Sequence, residues 1–201
     1  MRIVSDMIKI AKASELDFNP RPQMGMIFTN GFYQWLKYFS KDKEKLAKAL
    51  AHIFDLDMFF VALDGEKIAS ITAGGECNVS PIKLDPKELC KHLGAISGRM
   101  AKWMLAKHLV NIKYPFEVNE NMGSISFVAT SPEYRGKSIG QQLIAHIMEN
   151  SHYAEYVLEV ADNNASAIRL YEKLGFSEFA RKPAPKASGF NYLLYMKRVI
   201  N

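Results

Sequence analysis

Ile125-Ser126-Phe127-Val128-Ala129-Thr130 is a mostly apolar run that reads as a buried strand. It leads into the turn Ser131-Pro132-Glu133-Tyr134-Arg135-Gly136-Lys137-Ser138-Ile139-Gly140. Beyond the turn, Ile139, Leu143, Ile144, Ile147 and Met148 recur at helical spacing and give that helix one apolar face. A second strand is expected over Tyr156 to Ala161, then Asn163-Asn164 and a helix from Ala165 to Leu174. Gly175 stops that helix, and Phe176 is placed to pack back on it as in a Schellman cap. The order is strand, loop, helix, strand, helix.

The turn has the parts of an anion site. A loop running straight into a helix presents backbone N–H groups and the positive end of the helix dipole. Arg135 and Lys137 add cations, and Gly136 and Gly140 are expected to permit a close backbone approach. The P-loop pattern G-x-x-x-x-G-K-[ST] is half present in Gly136-Lys137-Ser138. Its first glycine falls on Ser131, and Pro132 stiffens the loop, so a nucleotide-binding P-loop is the weaker alternative.

The same residues resemble the GNAT superfamily of acyl-CoA-dependent N-acetyltransferases. Its Q/R-x-x-G-x-G/A loop is matched by Arg135 and Gly140, with Ser138 where the family places a glycine. The resemblance continues through Leu158-Glu159-Val160, Asn164, Ala167, Leu170-Tyr171-Glu172-Lys173 and Gly175-Phe176, and covers about residues 122 to 198. It implies a mixed, mainly antiparallel α/β sheet flanked by helices and splayed between the two strands. It also implies direct acetyl transfer from acetyl-CoA to a primary amine of an unidentified acceptor.

The implied donor site comprises Phe127, Val128, Thr130, Arg135, Gly136, Lys137, Ser138, Ile139, Gly140 and Asn164, with the pyrophosphate on the backbone of Arg135 to Gly140. Backbone N–H groups near Phe127 and Val128 would face the thioester oxygen, an oxyanion-hole role that needs no particular side chain. Glu159 is the candidate base, because its apolar strand raises a carboxyl pKa toward neutrality; a structural carboxylate bonded within the sheet is the other reading. Tyr171 is the candidate acid for the departing thiolate, against a tyrosine that merely packs its ring. A non-catalytic acyl-CoA-binding or sensor module would keep the same donor site.

The chain of 201 residues suits one domain, with a helical insertion at about 76–121. No apolar run reaches the ~18 residues of a membrane span, so no membrane partner is expected. The start, Met1 to Asp6, lacks an apolar export segment, and Cys77 and Cys90 lack metal spacing. A cytoplasmic protein without a metal is the expectation. Net charge is +5, but the cations are scattered, which disfavours nucleic acid and suits a coenzyme with phosphates. The five histidines are dispersed and neither cysteine has a histidine signal, so no acyl-enzyme is expected.

The first half carries weaker patterns. Met7 to Ala13 reads as a strand, broken by Asn19-Pro20-Arg21-Pro22. Ile27 to Phe39 is an aromatic helix whose Phe32, Tyr33 and Trp35 either fill core or wall an acceptor pocket. Ser40 is the expected cap of a helix over Asp42 to Phe54. Met58 to Ala73 is a hairpin about Asp64-Gly65, ending at Gly74-Gly75. In the insertion, Asp85-Pro86 starts a helix with Leu89, Leu93, Ile96, Met100, Trp103 and Met104 on one stripe, interrupted near Ser97-Gly98. That stripe needs cover, as an acceptor lid or a homodimer contact. Near the end, Glu178 to Arg181 and Asn191 to Arg198 are strands. The loop between them and Arg181, Lys182 and Lys186 either meet an acidic acceptor or are simply solvated.

Overall fold

The computed structural model describes residues 8–110 and 114–200. Met7, the expected start of the first strand, lies outside the described residues, as do Met1 to Asp6, Asn111 to Lys113 and Asn201.

Among the described residues seven strands make one mixed α/β sheet in the order β1-β2-β3-β4-β5-β7-β6. The strands are β1 (Lys9–Lys12), β2 (Phe59–Asp64), β3 (Lys67–Glu76), β4 (Met122–Thr130), β5 (Glu155–Ala161), β6 (Ser177–Pro183) and β7 (Tyr192–Val199). Every pairing is antiparallel except β4 with β5. That parallel pair holds only at Met122–Glu155, Gly123–Tyr156 and Ser124–Val157, and then the strands part. The expected splay is there, opening from Ile125 onward.

Helices cover both faces. One face carries α1 (Arg21–Leu36), α2 (Lys43–Leu50), α3 (Pro86–Leu93) and α4 (Ala95–Leu105), packed on Phe59, Val61, Ile68, Ile71 and Ala129. The other carries α5 (Ile139–Glu149) and α6 (Ala165–Lys173). All five apolar positions expected to line α5 are buried, against Ile125, Tyr156 and Leu158 or, near its start, Ala62 and Ala69.

Four local expectations are corrected, each for a packing or capping reason. The helix expected from Ile27 starts earlier, at Arg21, with Pro20 and Pro22 at its first turn, where N–H groups are to spare. Asp42, not Ser40, caps α2, its Oδ1 accepting from the Lys45 N–H at 3.0 Å, and the helix closes at Leu50. Gly74 and Gly75 do not end β3 but lie within it. A Cβ on Gly74 would sit 2.6 Å from the Ile147 side chain, so this glycine lets α5 press onto the sheet. The insertion helix breaks at Gly94 (φ +87), not at Ser97-Gly98; Gly98 is the point where α4 crosses Cys90. The supposed single stripe therefore divides. Leu89 and Leu93 are buried, while Ile96, Met100 and Trp103 are exposed.

Candidate active site

The site begins with a bulge. Ile71 and Ala73 of β3 pair with Ala129 and Ser126, so Phe127 and Val128 together oppose the single residue Thr72. Phe127 adopts φ +54, an outlier for a bulky residue. The Phe28, Phe32 and Phe59 rings lie 5.7, 6.2 and 6.3 Å from its own and hold it there. Strain of roughly 1–3 kcal/mol persists only where the surroundings over-determine it. The bulge stands in the splay, where Ser126 to Val128 are only partly buried and β5 has already turned away.

From Thr130 the chain makes one turn of 3-10 helix and enters α5. Gly136 takes φ +76 and Ser138 takes φ +57. The Ser138 backbone therefore adopts the left-handed form that a glycine, as in the family pattern, would adopt without cost. Among the described residues no side chain caps α5. Its first N–H groups and the positive end of its dipole are left for something else. Gly136 has nothing within 4 Å of a notional Cβ, so the turn's left-handed conformation, not fold packing, calls for a glycine there. At Gly140 a Cβ would meet Thr130 Oγ1 at 3.5 Å, Val128 at 3.7 Å and Leu170 at 4.0 Å, all ordinary contacts. Fold packing does not demand that glycine. Its bareness matters to an approaching ligand.

The side chains of the loop are partly engaged. Arg135 Nε donates to the Thr130 carbonyl at 3.3 Å, Thr130 Oγ1 lies 3.0 Å from Ser70 Oγ, and Lys137 Nζ sits over the Tyr134 ring. Tyr134 in turn donates to Asp64 at 2.7 Å, tying the loop to the β2–β3 hairpin. Ile139 is buried, and Arg135, Lys137 and Ser138 are exposed.

Tyr171 arrives from α6. Asn164 Oδ1 caps that helix by accepting from the Ala167 N–H at 3.3 Å, and it also accepts from Ser166 Oγ. At the other end, Phe176 N–H donates to the Tyr171 carbonyl at 3.0 Å and Gly175 N–H to Glu172 at 2.9 Å, with Gly175 at φ +82. This is the Schellman arrangement expected from sequence. It brings the Phe176 ring to 6.3 Å from the Tyr171 ring, so cap and side chain are fixed together. Burial pushes the Tyr171 phenol up to about 12, above the value near 10 expected of a free phenol. It is held protonated across the whole neutral range.

Glu159 lies on the opposite face. In β5, Tyr156, Leu158 and Val160 pack with α5 and α6, whereas Val157 packs with Cys77, Met122 and Tyr114. Strand alternation puts Glu159 on the Val157 side, paired across the ladder with Tyr195. Burial raises its carboxyl to about 7, opposed by the nearby Lys182 charge. No described residue hydrogen-bonds its carboxylate. The alternative of a carboxylate bonded within the sheet finds no partner. Tyr171 and Glu159 thus lie on opposite faces of β5.

Sequence reasoning missed the groups around Glu159. The Tyr114 ring lies 6.1 Å from that of Tyr195, burial pushes both phenols up, and Cys77 beside them is raised to about 12, an inert thiol. Strand alternation in β7 could have put Tyr195 on the Glu159 face; Tyr114 lies in a stretch without pattern. Missed too was the contact of Trp35 with Phe190, 6.5 Å between rings, which joins the end of α1 to the β6–β7 loop. Trp35 and Phe32 therefore belong to a wall beside the bulge as well as to packing, while Tyr33 turns to the Lys41 carbonyl. Arg181 is already paired with Glu178 at 2.6 Å. A cavity of about 100 Å³ adjoins Phe127, Ser124, Ser126, Cys77 and Tyr114. A larger one, about 500 Å³, lies among α1, α2 and α3 and shares no residue with the cleft. Among the described residues no group of three His, Cys, Asp or Glu side chains is placed to hold a metal ion.

An uncapped helix start, a bare glycine and an open bulge fit a ligand that joins a diphosphate to an extended chain. Residues 28–176 match the model of the Acetyltransferase (GNAT) family. The [ribosomal protein bS18]-alanine N-acetyltransferase of Escherichia coli is 41% identical over 54 residues, 25% of this chain and 36% of that protein. N-alpha-acetyltransferase 30 of Schizosaccharomyces pombe is 35% identical over 79 residues, 36% of this chain and 53% of its own. The matches thus span about a third to a half of those two curated relatives. In fold, the crystal structure of the Escherichia coli ribosomal-protein-S18-alanine N-acetyltransferase superposes with a TM-score of 0.56 at 18% identity, covering 97% of this chain and 95% of that one. A Pyrococcus horikoshii structure gives a TM-score of 0.58 at 20% identity over 97% and 99%.

Proposed function

Since the chain belongs to the acetyltransferase (GNAT) family, we propose that it transfers an acetyl group from acetyl-CoA directly to a primary amine, and that the amine is the free α-amino end of a protein. The observation that carries this reading is the uncapped α5 start beside the Phe127 bulge, where β4 and β5 part; the family motif adds Tyr171 and Glu159 to that site. The relatives named for alanine and N-alpha acetylation support the choice of acceptor, and their matches are local.

In this reading the backbone N–H groups of Arg135 to Gly140 hold the diphosphate, and Lys137 and Arg135 add charge. Amides of Phe127 and Val128 polarise the thioester carbonyl. Glu159, at about 7, takes a proton from the acceptor ammonium, directly or through water, and frees the lone pair that forms the C–N bond. As the C–S bond breaks, Tyr171 gives its proton to sulfur. A phenol at about 12 donates late, only once negative charge has built up beside it. Trp35 and Phe190 wall the acceptor's path, so an extended peptide end suits the site.

The test is acetyl-CoA with short peptides bearing free or blocked N-termini, followed by thiol release and product mass. The expected product carries one acetyl group on the α-amine. Thiol release with lysine side chains alone would overturn the acceptor. Coenzyme binding without turnover on any amine would leave a non-catalytic acyl-CoA module.

A further inference from the structure

The α4 helix keeps an apolar ridge in solvent. Ile96, Met100 and Trp103 are 86%, 44% and 63% exposed, at spacings of four and three that put them on one stripe. Gly98, Ala101 and Leu105 make the inward face of the same helix. Cations flank the ridge. Arg99, Lys102 and Lys107 are exposed, and Lys107 Nζ lies 5.4 Å from the Trp103 ring. From Leu89 to Val110 the chain has no Asp or Glu. The packed neighbour α3 offers Glu88, which Lys91 and His92 already share at 3.3 and 3.7 Å, and a further cation, Lys87.

We propose that this face docks on an anionic lipid surface, with Ile96, Met100 and Trp103 at the headgroup boundary and Arg99, Lys102 and Lys107 on the lipid phosphates. The charge selects an anionic partner. A second copy is disfavoured, because a two-fold contact would set these cations against themselves. Among anionic partners the ridge selects a soft one. Side chains standing this far out describe a convex edge, not a groove for a partner helix, and three apolar groups gain nothing from a nucleic acid backbone. A Trp beside cations is also the composition of an interfacial helix. The expectation of no membrane partner rested on the lack of a spanning segment. Among the described residues no helix is long and apolar enough to cross a membrane, but a helix lying on the surface needs no such length.

The test is flotation of the full chain with vesicles of phosphatidylcholine alone and with about 30 mol% phosphatidylserine, at low and at raised salt. Binding is expected only to the anionic vesicles, weakening with salt. Arg99→Gln with Lys102→Gln should weaken it about 25-fold, at about fivefold per charge. Ile96→Ser with Trp103→Ser should abolish it while the thermal melt is unchanged, since both side chains are exposed. No binding to anionic vesicles, or binding that survives the Ile96→Ser/Trp103→Ser change, would overturn the proposal. Tighter binding to RNA or to an acidic peptide than to the vesicles would overturn it in favour of that partner.

Discussion

The crossovers from β4 into α5 and from β5 into α6 use the same strand, turn and helix, yet their helix starts differ. Asn164 caps α6 with its own side chain, and Gly175 and Phe176 close the far end. The α5 start has no side-chain cap, and it is reached through two residues, Gly136 and Ser138, in left-handed backbone. One helix satisfies its own polar ends and can hold a side chain, Tyr171, steady. The other keeps its donors free and follows a strand that bulges. In the function proposed, the self-sufficient helix positions chemistry and the incomplete one binds.

The largest effect expected from breaking this division is at Tyr171. Tyr171→Phe keeps the ring in its pocket and should lower kcat by ~10²–10⁴-fold with coenzyme affinity retained. Turnover within about twofold of the parent would remove the phenol from the reaction. Glu159→Gln probes the other side of the splay through both rate and stability. Because folding raises this carboxyl from 4.5 to about 7, the folded state holds the extra proton between those values. Stability therefore falls as pH rises from about 4.5 to 7, and the full cost applies above 7. The variant should be more stable than the parent by about 3 kcal/mol above pH 7, with no gain below pH 4.5, and should lose the rise of kcat through pH 7. Paired melts at pH 4 and pH 8 measure this; equal shifts would show that the carboxylate carries no burial cost.

Smaller effects separate the two helix starts. Asn164→Ala removes the cap of α6 and should cost about 1 kcal/mol in denaturant unfolding. Ser138→Gly has the opposite sign. It relieves a left-handed non-glycine residue, worth ~1–2 kcal/mol, against glycine's entropic cost of ~0.5–1, so a gain of about 0.5–1 kcal/mol is expected. A loss of stability on Ser138→Gly would mean that the hydroxyl contributes more than the strain removes.

Much of this contrast was legible in the chain. Patterns in Ile139 to Met148 and in Asn164 to Phe176 are local, so periodicity and caps located both helices and the Schellman stop. The splay came from family resemblance, and the Phe127 bulge was not legible at all. Its cause is three-dimensional, a clamp of Phe28, Phe32 and Phe59 drawn from α1 and β2. Gly74 read as a strand end because its partner, Ile147, is remote in sequence. The insertion misled for a related reason. Leu89 and Leu93 share an apparent stripe with Ile96, Met100 and Trp103, but Gly94 turns the second helix over and sends the latter three outward. Tyr114 carried no signal, whereas Glu159 was singled out because its motif surrounds it.

The most direct test of the division between a binding helix start and a catalytic one is calorimetric titration of coenzyme A into the parent and into Gly140→Asp. A carboxylate there would meet the diphosphate at the uncapped end of α5, in a position where the fold itself tolerates a Cβ. The account predicts a folded variant, with a melt close to the parent's, whose coenzyme affinity is lower by at least about 100-fold, since a charged group repels the ligand and occupies the freed N–H donors. Undiminished affinity in the folded variant would contradict it.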